Sequence, residues 1–251
     1  MTYNETMNFL AHHVIGLRWA VSGAPPEFFA GNVLPDLLSM SGDGRLRGLS
    51  PALPPDGPLE AGIRLHLTAD HAFHAGPAFK EVTSGASELL RSGDWEAPPR
   101  RVFFLAHVFV ELALDAHLLR AQPGLADDLY DRLRAADPGA VHAGMSRLLT
   151  PAGGSPPALP RLASTVASFT EAGYLNDYRS PRGLAVALAR VSRRGGVGNF
   201  ETEADRQRLA AAFEAFAPRV AEVAETLLTV TPAPAGPWYN EAEITPARND
   251  R

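Results

Sequence analysis

The chain has 251 residues, and its 45% hydrophobic and 20% charged content describes a globular protein with enough chain to bury a core. Its 28 acidic and 23 basic residues leave a net charge of −5, so the composition offers no basic excess for nucleic-acid binding by phosphate neutralisation. The absence of cysteine excludes disulfides, thiolate zinc sites and cysteine nucleophiles, and no GxxxxGK[ST] loop suggests a nucleotide-binding P-loop.

The first element predicted is a helix from Met7 to Val21, with Phe9, Leu10, Val14, Leu17 and Val21 at roughly helical spacing. Its start, Met1 to Ala11, lacks the basic flank and cleavage pattern of a secretion signal, and no apolar run reaches the ~18–20 residues needed to cross a bilayer. The expectation is a soluble, cytoplasmic protein with no membrane span. Ser22 to Pro26 break the first helix, and a short second helix covers Glu27 to Gly31. Gly31-Asn32-Val33-Leu34-Pro35-Asp36 then leads into Leu37–Met40. Residues 41–58, rich in Gly, Pro and Ser, read as a long loop able to cover a substrate.

Helices are predicted next from Pro58 or Leu59 to about His74 and from Pro77 to Ser92. Arg100 to Ala121 follows, apolar on most faces and so central and buried. Shorter helices over Leu125–Ala135 and Ala140–Leu149 precede a loop at 151–160. Leu162–Gly173, Pro181–Arg194 and Glu203–Thr229 complete the set. No sustained period-2 strand pattern occurs. The expected fold class is all-α: one helical domain over residues 1–230 and a Pro-rich tail over 231–251.

Seven of the eight histidines precede residue 118. His66, Asp70 and His74 step by four, as do His107, Glu111 and Asp115, so each set shares one helix face. The second set lies in a strongly apolar helix, where ionised groups cost several kcal/mol each, in round numbers about 3–5, unless paired or metal-bound. Two such helices face to face give a bundle-core metal site of mixed His/Asp/Glu ligands, suited to Mn, Fe or Zn. The alternative for His107, Glu111 and Asp115 is a polar stripe on a solvated or interface face, and for His66, Asp70 and His74 an exposed face or a helix-end cap. His12 reads either as a ligand or as a hydrogen-bonded core histidine. By helical phase, His13, His71 and His117 read as surface residues. Asn32 and Asp36, four apart in a Gly/Pro-bounded segment, read either as a ligand and its supporting residue or as helix caps.

Several of these stretches resemble one family. Met7-Asn8-Phe9-Leu10-Ala11-His12 looks like the opening of the bacterial acyl carrier protein phosphodiesterases. Gly31–Asp36 resembles their GN-x-x-x-D segment, and Gly62-Ile63-Arg64-Leu65-His66-Leu67-Thr68-Ala69-Asp70 their GI-x-x-H-x-x-x-D helix. His107, followed by Phe109, resembles the histidine of their next motif-bearing helix. Tyr174-Leu175-Asn176-Asp177-Tyr178-Arg179 and the helix through Arg193 resemble their aromatic-arginine stretch. The order holds over most of residues 7–225. At some positions this chain has residues of its own: Leu67 and Thr68 where the family commonly carries arginines, Phe73-His74 where it carries Thr-Asp, and Ala106 where it carries an aspartate.

The resemblance implies an all-helical fold, distantly similar to the His-Asp metal-dependent phosphohydrolases. It also implies a divalent metal, typically manganese, and cleavage of the phosphodiester that joins 4′-phosphopantetheine to a carrier-protein serine. His12, Asp36, His66, Asp70 and His107 become the implied ligands, to which the helix faces add His74, Glu111 and Asp115. The expected catalytic groups are His66, Asp70 as bridging or base carboxylate, and His74 as an unliganded acid. The partners expected are a phosphoester substrate and an acyl carrier protein. A zinc-dependent, phospholipase-like or small-molecule phosphohydrolase and a non-catalytic metal-binding helical protein are the alternatives.

Overall fold

The computed structural model describes residues 8–43, 57–150, 158–197, 199–230 and 235–240. Most of the loop expected to cover a substrate, residues 44–56, lies outside them, as do 151–157 and 241–251. The described residues are all-α, without a β-strand. In chain order they form α1 (Phe9–Trp19), α2 (Pro26–Gly31), α3 (Leu34–Ser41), α4 (Pro58–Ala75), α5 (Pro77–Ser92) and α6 (Val102–Ala121). These are followed by α7 (Leu125–Ala135), α8 (Pro138–Leu149), α9 (Leu162–Ala172), a 3-10 helix (Tyr174–Arg179), α10 (Pro181–Arg194) and α11 (Glu203–Leu227). Proline in the first turn opens α2, α3, α5, α8 and α10, where its missing N–H costs no hydrogen bond.

The helices group into two compact units, each assembled from segments distant in sequence. The first holds residues up to Ala11, then Phe73–Ala126 and Gly173–Leu227. Its centre is α6, contacted by α5, α10 and α11. Fourteen of its twenty residues are buried, because its sequence is apolar on nearly every face. Phe109 stacks on Phe213 at 4.0 Å and meets Phe216 edge-on at 5.4 Å, so one aromatic residue of α6 is held by two of α11. By length and composition alone α6 could cross a bilayer, but 78% of that window is buried within the protein, as in a core helix.

The second unit comprises His12–Ala72, Asp127–Ala172 and the chain from Leu228. Here α2 and α4 approach backbone to backbone at two glycines. A Cβ on Gly62 would overlap the Phe28 carbonyl oxygen and stand 2.9 Å from the Asn32 nitrogen. A Cβ on Gly31 would overlap the Leu59 carbonyl oxygen. Within the stretch expected as a tail, residues 235–240 are fastened to this unit. Tyr239 is buried and donates its hydroxyl hydrogen to the Ala61 carbonyl at 2.8 Å, and the Asn240 amide donates to Trp19 at 2.7 Å.

His13, expected at the surface, is buried, because α1 is apolar on both sides of the His12-His13 pair (Phe9, Leu10 and Ala11 before it, Val14 and Ile15 after). Its Nε2–H donates to Asp128 Oδ2 at 2.7 Å, while its buried Nδ1 makes no hydrogen bond. Burial pushes the His13 pKa below its ordinary value, and the hydrogen bond and charge of Asp128 only partly offset that. The neutral ring suits the geometry, since a proton on Nδ1 would be buried without an acceptor.

Two outcomes are expected from this packing. Gly62→Ala destabilises the fold by about 2–3 kcal/mol in urea unfolding, because the obstacle is backbone that cannot move aside. Gly124→Ala, whose Cβ meets nothing within 4 Å, serves as the neutral control. Because the unfolded chain binds a proton at His13 more readily than the folded one, stability falls as pH drops below about 6.5. His13→Gln, which can still donate to Asp128, flattens that part of the profile. An unchanged slope between pH 6.5 and 5 would show that His13 does not titrate there.

Candidate metal centres

Two groups of three metal-ligating side chains occur among the described residues, one in each unit. The first is His12 of α1, Asp36 of α3 and His66 of α4, all buried, with their ligand atoms within 4.8 Å of one another. The Gly31–Asp36 segment builds it. Asn32 caps the end of α2, its amide donating to the Phe28 carbonyl at 3.1 Å. The Asn32 carbonyl accepts the Nδ1–H of His66 at 2.9 Å, and the Asn32 side-chain amide donates to the His12 carbonyl. One residue thus ties α1 and α4 to the turn between α2 and α3.

Asp36 follows in the first turn of α3, where the helix dipole favours a negative charge. Its Oδ1 lies 3.8 Å from His66 Nε2, and the rings of His12 and His66 stack with centroids 3.9 Å apart. With Nδ1 donating to a carbonyl, the neutral His66 ring carries its lone pair on Nε2, the nitrogen that faces Asp36. This is the arrangement in which a backbone carbonyl orients a metal-ligating histidine.

The second group is His74 of α4 with His107 and Glu111 of α6. The two Nε2 atoms are 3.0 Å apart, and Glu111 Oε1 lies 3.0 Å from His107 Nε2 and 3.4 Å from His74 Nε2. The imidazoles stack at 4.6 Å, and Phe79 meets both edge-on. The histidine side chains are 24% and 22% exposed and that of Glu111 is 0% exposed. Burial alone would raise the Glu111 carboxyl. The charge and hydrogen bond of His107, joined by those of His74, override it and bring the pKa down to about 2.

Both groups fit a divalent cation by the chemistry of their donors, imidazole nitrogen and carboxylate oxygen. The second group also contains a buried oxygen without a hydrogen-bond partner, Glu111 Oε2. Buried polar atoms of this kind are ones that a bound ligand satisfies.

The structure therefore regroups the expected site. His12, Asp36 and His66 come together, and His107 and Glu111 come together. His74, expected as an unliganded acid, stands with His107 and Glu111. Asp70 is half-buried and joins neither group. Asp115 is corrected more sharply. It lies one turn beyond Glu111 and is completely buried, but its two oxygens accept the Leu10 and Ala11 amide hydrogens at 3.3 and 3.1 Å. It closes the N-terminal turn of α1, a role that helix phase alone does not distinguish from ligation. Burial raises its pKa well above the ordinary carboxylate value, against the two amide hydrogen bonds and with the Glu111 charge adding to the rise.

Asp115→Ala is expected to cost about 2–4 kcal/mol in denaturant unfolding, because two buried amides lose their acceptors and a cavity opens. Any divalent metal that the wild-type chain retains, measured by elemental mass spectrometry, is expected to be retained in full by the same variant. A lost equivalent would return Asp115 to the ligand set. Comparison of the sequence with protein-family models, with curated proteins and with solved structures gives no match in any of the three.

Proposed function

We propose that this chain is a metal-dependent phosphoester hydrolase acting through the His12, Asp36 and His66 centre. The observation that carries the reading is the convergence of these three side chains from three separate stretches of sequence, each of which resembles a motif of the acyl carrier protein phosphodiesterases. A divalent ion held there supplies a water of lowered pKa and positive charge for the phosphoryl oxygens. His12 and His66 contribute neutral imidazole nitrogens, and Asp36 contributes the negative charge that a buried cation requires. The Asn32 carbonyl fixes which His66 nitrogen is available. Asp70, one turn beyond His66 on α4, is the carboxylate assigned to proton transfer. The substrate class that goes with the resemblance is the diester between phosphopantetheine and a carrier-protein serine, with manganese as the metal.

A second reading has a specific observation behind it. All three ligands are buried, which is the setting of an ion held for structure. Activity separates the two readings. On the hydrolase reading, the manganese-loaded chain cleaves holo-acyl carrier protein or a simple aryl phosphodiester, and Asp36→Asn and His66→Ala lose both metal and turnover. Asp70→Asn retains the metal and loses turnover by about 100-fold or more, the range expected for a proton-transfer group. Asn32→Ala weakens metal binding by about 10–100-fold, as loss of a supporting residue does. Metal that leaves with His66→Ala but supports no cleavage of any phosphoester would overturn the hydrolase reading in favour of the structural one.

A further inference from the structure

We propose that His74, His107 and Glu111 form a separate divalent-metal centre of the open, tetrahedral zinc type, with two histidines and one glutamate as ligands and a fourth position turned to solvent. The inference does not depend on the reaction or substrate proposed above.

The geometry is the first argument. Three ligand atoms about 2.0–2.1 Å from a tetrahedral zinc ion stand about 3.3 Å from one another. The triangle here has edges of 3.0, 3.0 and 3.4 Å. Proton placement is the second. A single proton on one of the facing imidazole nitrogens satisfies one of the three contacts and leaves two without a donor, and a proton on each nitrogen, both donated to Glu111 Oε1, sets two N–H groups against each other at 3.0 Å. One cation inside the triangle satisfies all three atoms at once. The third argument is the glutamate itself. It is completely buried on an apolar helix, and its second oxygen, Oε2, makes no hydrogen bond. A carboxylate is retained in such a position when a cation compensates it.

Helix register explains how the ligands meet. His107 and Glu111 are one turn apart on α6 and so share a face. Phe79 of α5 lies against both imidazoles, and Phe73 lies against His74 and Phe79, so the rings are held on an apolar wall. Asp115 is committed to the amides of α1 and does not supply a fourth ligand. The partial exposure of both histidines leaves that position to water or to an exchangeable anion, the arrangement of catalytic and inhibitor-binding zinc sites rather than closed structural ones.

The test is a titration of the chelator-stripped full chain with cobalt(II) as a spectroscopic substitute for zinc, followed by competition with zinc. The wild-type chain is expected to give the intense visible absorption of tetrahedral cobalt, which zinc displaces and azide shifts by entering the open position. His107→Ala and Glu111→Gln lose that absorption and one equivalent of metal, with an affinity loss of about 100-fold or more. His66→Ala keeps it, which separates this centre from the one assigned to hydrolysis. Circular dichroism of the metal-free Glu111→Gln chain, whose side chain keeps its size, shows that the fold is intact. Equal stoichiometry and equal spectra in the wild type, His107→Ala and Glu111→Gln would overturn the proposal and leave these residues as a hydrogen-bonded cluster. So would a spectrum lost in His66→Ala but kept in His107→Ala.

Discussion

A carboxylate buried among apolar side chains must find a compensating partner, and α6 carries two of them one turn apart. Glu111 finds His74 and His107. Asp115 finds the first amides of α1, which every helix leaves without partners of their own. Either group alone in that apolar helix would be strongly destabilising. Their two solutions fix much of the first unit: Asp115 anchors the start of one helix, and Glu111 draws together a pair of imidazoles.

The second unit solves a related problem through the backbone. Two glycines, Gly31 and Gly62, allow α2 and α4 to approach until main-chain atoms touch. That approach is what brings the Asn32 carbonyl to His66, while the Asn32 side chain secures His12 from the other side. Asp36, a turn later, completes the group at the favourable end of α3. The short Gly31–Asp36 segment therefore supplies the close contact, the orienting carbonyl and the carboxylate of the group.

Much of the fold was legible in the sequence. The periodic apolar positions and the Pro and Gly punctuation locate ten of the eleven α-helices, because both signals are local properties of the chain; α3 (Leu34–Ser41) reads only as a tight segment leading into Leu37–Met40. The boundaries of α5, α7 and α10 agree with the structure to the residue. The 3-10 turn at Tyr174–Arg179 has no apolar period and was not located as an element. His13 was misread because its phase on the helix was judged from its neighbour His12, although apolar residues flank both. The prolines of the 231–251 stretch suggest a chain that packs nowhere, whereas Tyr239 within it is hydrogen-bonded to Ala61, 178 residues away along the chain.

The sequence by itself determined the helices, the all-α class and the residue types able to hold a metal, since each depends on spacing along one element. It also marked His12, Asp36, His66, Asp70, His107, Glu111 and Asp115 as candidate ligands. Only the tertiary structure decided how those residues are shared out. His66, Asp70 and His74 lie on one face of α4, yet His66 joins His12 and Asp36, His74 joins His107 and Glu111, and Asp70 joins neither group. Helical spacing states which way a side chain points and is silent on what another helix brings to meet it. The same reason hid the task of Asp115, whose partners lie 104 and 105 residues away along the chain.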